Sequence, residues 1–180
     1  MRITIELDQA DVERFVSTLE RSRRLARSMD ETDVIDAAKQ SLDTLLLGSA
    51  PEYVRKRIVG VQRLILMLED DAWALPNPER EEVLTTLVYF SDPDDLIPDD
   101  VEVIGLFDDA VVLELVLRRL RHVLKAYDEF CVFRERLEGD DGSPQSRLHR
   151  AGELARRRDT LRGRMQRHTQ RRLEKAQRRS

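Results

Sequence analysis

The chain has 180 residues, 41% hydrophobic and 37% charged, with a formal net charge of −4, 7 Gly and 6 Pro. That is long enough to bury a core, and high charge with few turn formers favours helices, whose wet faces charged residues cover. The single Cys131 excludes an internal disulfide, and no run reaches the ~20 apolar residues that a bilayer-spanning helix needs.

Residues 3–7, Ile-Thr-Ile-Glu-Leu, alternate apolar and polar and predict a short extended segment. Met1 and Arg2 do not open a basic-then-apolar leader, so the expectation is a cytoplasmic protein. Asp8 then offers a cap for a first helix, with Val12, Phe15, Val16, Leu19 and Ala26 at helical spacing to about Ser28. A second helix is predicted from about Glu31 to Leu47, carrying Val34, Ile35, Ala38, Leu42, Leu45 and Leu46, with Gly48 as its stop.

Ser49 to Glu52 has capping-box spacing with Pro51 between, and opens the most regular helix of the chain. There Val54, Ile58, Val61, Ile65 and Leu68 step by four, three, four and three, and the pattern breaks near Asp71. Asn77 and Pro78 start a fourth helix with Leu84, Leu87 and Val88 inside, and Trp73 sits at the corner before it as a packing anchor. A long fifth helix runs from about Asp108 to Leu137 on Val112, Val116, Leu120, Val123, Leu124, Tyr127 and Cys131.

Between the fourth and fifth helices lies Tyr89–Asp109, with eight carboxylates and no positive charge. Pro93 and Pro98 forbid a continuous helix there. The leading reading is structural. Asp108 caps the fifth helix, Asp109 sits in its first turn, and the apolar residues between fold back over the bundle. The functional alternative is a hard divalent cation held by Asp95, Asp99, Asp108 and Asp109; no other cofactor is expected. The spacing matches no calcium loop, and no nucleophile or His is near in sequence.

The motif itself is specific. A Tyr ends a helix at Tyr89, followed by Pro93, Asp95-Leu96-Ile97-Pro98-Asp99, Gly105 and Asp108-Asp109. In this the segment from about Asp71 to Arg134 resembles the YkvA-like family, catalogued as domain of unknown function 1232. The resemblance implies an all-helical fold and no assigned activity. Acidic residues stand at Asp94, Asp100 and Glu102 where the family pattern is apolar or Pro, which disfavours contact with an anionic lipid surface.

Glu138 to Pro144 reads as a linker, and beyond it the charge inverts: residues 143–180 hold thirteen Lys/Arg against three Asp/Glu, a net of +10. The division expected is an acidic helical domain over 1–137 (motif region 71–134), a linker over 138–145 and a basic arm, helical or disordered, over 146–180. Its contact residues for nucleic acid or another anion would be Arg156, Arg157, Arg158, Arg162, Arg164, Arg171 and Arg172. The other readings of the arm are an anionic membrane surface, the acidic body of its own or another subunit, or a solubilising tail. Lacking aromatics for base stacking, it predicts no sequence specificity.

The expectation is therefore an all-α bundle of about five helices with a short N-terminal extended segment and a basic C-terminal arm. Its function reads as a non-enzymatic helical protein-interaction module. Partners are a protein or a second copy, with nucleic acid open to the arm and stable membrane insertion disfavoured. The rival readings are a divalent-metal-dependent enzyme at the Asp corner and non-specific nucleic-acid or anionic-surface binding through the arm.

Overall fold

A computed structural model describes residues 9–44, 52–92, 105–138 and 144–178. The expectations at residues 3–7, at Gly48 and its capping box, and in the 93–104 corner lie outside these. The described residues are all-α, in six helices and no strand: α1 Gln9–Ser28, α2 Glu31–Thr44, α3 Glu52–Glu69, α4 Glu79–Phe90, α5 Gly105–Glu138 and α6 Pro144–Gln177. Six rather than about five results from residues 144–177 forming one 34-residue helix.

The chain divides into two compact units, one of Met1–Ile65 with Arg80–Arg118, the other of Leu66–Glu79 with Arg119–Ser180. In the first unit α1 turns Phe15, Leu19, Ser22 and Ala26 inward, in steps of four, three and four, and leaves Val16 47% exposed. Ser22 is fully buried and tolerated because its hydroxyl donates to the Thr18 carbonyl at 3.0 Å. The ring of Phe15 meets Tyr89 edge-on, centroids 6.3 Å apart. Asp30 caps α2, its Oδ1 accepting from the Thr32 amide at 2.9 Å.

The stripe predicted for α3 is the one buried: Val54, Ile58, Val61, Ile65 and Leu68 are each no more than 4% exposed. An added Cβ on Gly60 would lie 2.7 Å from Leu117 Cδ1, so the absent side chain lets α5 come close along this helix. In α4 every residue from Val83 to Tyr89 is buried, not only Leu84, Leu87 and Val88. Its two threonines are accommodated because Thr85 and Thr86 donate back to the carbonyls of Glu81 and Glu82 at 2.7 and 2.8 Å. Arg80 donates to both oxygens of Glu31, tying the start of α4 to α2.

The second unit gathers around Trp73, fully buried beside Tyr127 at 5.8 Å and Phe130 at 5.1 Å between ring centroids. The corner after α3 is held by Asp70. Its Oδ1 accepts from the Trp73 amide at 3.1 Å and its carbonyl from the Ala74 amide at 2.7 Å. Ala74 adopts a φ of 42°, a left-handed turn that an L-residue takes only where surrounding bonds hold it. Leu161, Met165 and Thr169 of α6, spaced four apart, are each at most 5% exposed, so this helix is packed along one edge and not solvated all round.

Candidate functional site

Of the acidic residues expected at a metal centre, Asp95 and Asp99 lie outside the described residues. Asp108 and Asp109 fall in the opening residues of α5, which begins at Gly105, so Asp108 is the fourth helical residue and not its cap. Just before the corner, the Asp92 carboxylate is nearly buried with Arg21 Nη2 at 3.8 Å. Among the described residues, no three His, Cys, Asp or Glu side chains converge as a metal-holding group.

Two polar networks of the second unit were not anticipated from the sequence. In the first, Asp70 Oδ2 accepts from the Tyr127 hydroxyl at 3.0 Å and from Arg134 Nη1 at 2.8 Å. Burial, then the neighbouring Cys131 thiol and the Asp70 charge, push the Tyr127 phenol above its ordinary value. Burial likewise raises Cys131, although the hydrogen bond with Tyr127 pulls the other way. The thiol is thereby kept protonated and weakly nucleophilic, while Arg134 Nη2 sits 3.7 Å from its sulfur.

The second network joins a carboxylate, a hydroxyl and two imidazoles. Glu79 is fully buried, its Oε1 accepts from Thr169 Oγ1 at 2.8 Å, and its Oε2 is buried with no hydrogen-bond partner. His122 Nε2 lies 2.9 Å from the same Thr169 oxygen, and the His122 ring stacks on His168 with centroids 4.3 Å apart. The residue types are those of a hydrolase triad, but their order is not. With the hydroxyl proton given to Glu79, the imidazole must donate its Nε2–H to Thr169 and cannot act as its base. Thr169 is also only 5% exposed, closed to a substrate. The arrangement fastens α6 to the start of α4 and to α5. Only the three-dimensional fold brings these groups together, since 47 residues separate His122 from Thr169 and 90 separate Glu79 from it.

The arginines expected to meet an anion are distributed around α6. Arg157 and Arg164 reach Glu129 at 3.5 and 2.8 Å, and Arg157 also lies over the Phe133 ring. Arg162 donates to the Trp73 carbonyl and stacks its guanidinium 5.8 Å from the Trp73 ring. Burial, with the Arg158 charge beside it, lowers the Arg162 pKa. Arg158 and Arg172 donate to the carbonyls of Ala72 and Arg119 at 3.5 and 2.9 Å. Arg156 points outward, 80% exposed, with Glu153 at 2.9 Å, and Arg171 is exposed.

The exposed cations of the C-terminal half form a row that composition alone did not single out. Arg164, Arg167, Arg171, Lys175 and Arg178 follow in steps of three, four, four and three and are all exposed. That spacing was the available signal, masked by Arg157, Arg158, Arg162 and Arg172, which face inward.

These features define an all-α protein with segregated charge, in which a basic helix is braced from within by its own unit. Residues 82–115 match the family described as "Protein of unknown function (DUF1232)", the resemblance that the Tyr89–Asp109 motif carries. The match takes in most of α4, the corner and the start of α5, and leaves α6 outside it. Comparison with curated proteins and with solved structures finds no match. Among the described residues no helix is long and apolar enough to cross a membrane.

Proposed function

We propose that this chain is a non-enzymatic helical interaction module whose partner-facing surface is the outer basic face of α6. The observation that carries the reading is the division of labour along that helix. Arg157, Arg158, Arg162 and Arg172 are spent on carbonyls, an aromatic ring and Glu129 of the same unit, while Arg167, Arg171, Lys175 and Arg178 are presented to solvent. A helix fixed on one side holds the cations of the other side in a set geometry, which lowers the ordering cost of binding. The acid–base groups of the second unit support the same view, because Glu79, Thr169 and His122 are engaged with one another in fastening α6.

The reading predicts retention of the full chain on a sulfated-polysaccharide column at about 50 mM salt, released as counterions compete. Arg167→Glu/Arg171→Glu/Lys175→Glu should elute at a clearly lower salt concentration. Co-elution of variant and parent would remove the outer face of α6 as the interaction surface.

A further inference from the structure

Four outward cations in a line, Arg167, Arg171, Lys175 and Arg178, raise the question of which polyanion fits them, Arg164 before them being paired with Glu129. From Arg167 to Arg178 the row extends about 16.5 Å at a helical rise of 1.5 Å per residue. That is the axial length of about five base pairs of duplex at 3.4 Å each. Three of the four are arginines, whose planar forks meet phosphate oxygens two at a time. No Phe, Tyr or Trp occurs in α6, so it lacks the large rings that hold unpaired bases by stacking. The exposed leucines, Leu148 and Leu173, lie on the side of the helix away from the row, so the charged face lacks the apolar strip that seats a helix in a lipid interface.

Rigidity decides between a duplex and an acidic polypeptide. The row lies on a helix whose neighbouring edge is anchored by Leu161, Met165 and Thr169, with Arg162 locked onto Trp73 and Arg172 bonded to the Arg119 carbonyl. A rigid line of charge gains most from a partner whose charges are already fixed in a line, since a flexible polycarboxylate must first be ordered. Resting on the reading above, we propose that Arg167, Arg171, Lys175 and Arg178 bind the phosphate backbone of a nucleic-acid duplex, without regard to sequence.

The test is fluorescence anisotropy with the full chain, using a labelled random-sequence duplex DNA two helical turns long, and poly-L-glutamate of equal charge for comparison. Four phosphate contacts predict a slope of log K against log salt of about −3.6, at about −0.9 per contact. Arg167→Gln/Arg171→Gln/Lys175→Gln should flatten that slope by about 2.7, with the melting curve and the emission of Trp73 unchanged. Changing the base sequence of the duplex should leave both slopes as they are. Duplex binding with the variant's slope unchanged would overturn the proposal. Equal affinity for poly-L-glutamate would also overturn it, while leaving the interaction module standing. Binding to neither at low salt would overturn both.

Discussion

Asp70 is the residue on which most of the second unit's corner depends. One carboxylate serves a backbone amide, a phenol and a guanidinium, and its side chain is only 10% exposed. The charge of Arg134 offsets the burial of the acid, and the three donors leave little of its acceptor capacity unused. This network makes stability depend on alkaline pH. The Tyr127 and Cys131 protons are held in the folded chain to higher pH than their ordinary values of about 10 and about 8.5 allow in an unfolded chain. Below those values both states keep the protons and nothing is lost. Above them the unfolded state releases protons that the folded state retains, so stability falls as pH rises. Denaturant titrations across about pH 8 to 11 should show that decline, and Tyr127→Phe/Cys131→Ala should flatten it. An equal decline in parent and double variant would mean that other groups govern the alkaline limb.

Helix α6 shows how a whole element depends on a few positions. Its Arg-rich sequence buries only a narrow edge, Leu161, Met165 and Thr169, supplemented by Arg162 on Trp73. Met165→Ala should therefore cost about 2–4 kcal/mol, as truncations of fully buried side chains do. The chain has one tryptophan, fully buried and stacked with Arg162 three residues before Met165, so loosening α6 in the same variant should shift the emission of Trp73 toward the red. A variant as stable as the parent with unshifted emission would mean that α6 does not pack as described. The sequence made α3 and the inner face of α5 legible because their apolar residues recur at 3.6-residue spacing around a single face. It did not reveal that α4 is enclosed on all sides, because Thr85 and Thr86 read as polar until their hydroxyls are seen bonded to the helix's own carbonyls. Nor did it show that α6 packs within its own unit, since three residues supply the buried edge, and the partners of Thr169 (Glu79 and His122) and of Arg162 (Trp73) lie far away in sequence. Of the candidate site, the arginine content was legible. Which arginines face outward was not, because that depends on which edge of the helix is buried.

At the scale of the whole molecule, the formal charge of −4 is the residue of a large imbalance: residues 1–142 sum to −14 and residues 143–180 to +10. The inward arginines of α6 are engaged within their own unit, so its remaining positive field comes from the outer row. Of the other described helices α2 is acidic, with Asp33, Asp36 and Asp43 exposed against the single cation Lys39. The outer row of one copy is thus complementary to α2 of another, and such a contact joins two different surfaces. Repeated head to tail, a contact of that kind builds open chains wherever its rotation does not close a ring, so association grows with concentration. Exposed pairs contribute little individually and are screened once the Debye length drops to about 8–10 Å near 0.1–0.15 M salt. Light scattering of the full chain should give an apparent mass above 21.0 kDa at low ionic strength that falls to that value as salt is added. Neutralising Arg167, Arg171 and Lys175 should abolish the dependence. A duplex added at low salt should compete with self-association for the same row, so an excess should dissolve the larger species into one-to-one complexes. If the apparent mass is the same at all salt concentrations, the row is too weakly charged in its surroundings to recruit even an abundant acidic partner, and the case for α6 as a docking face fails with it.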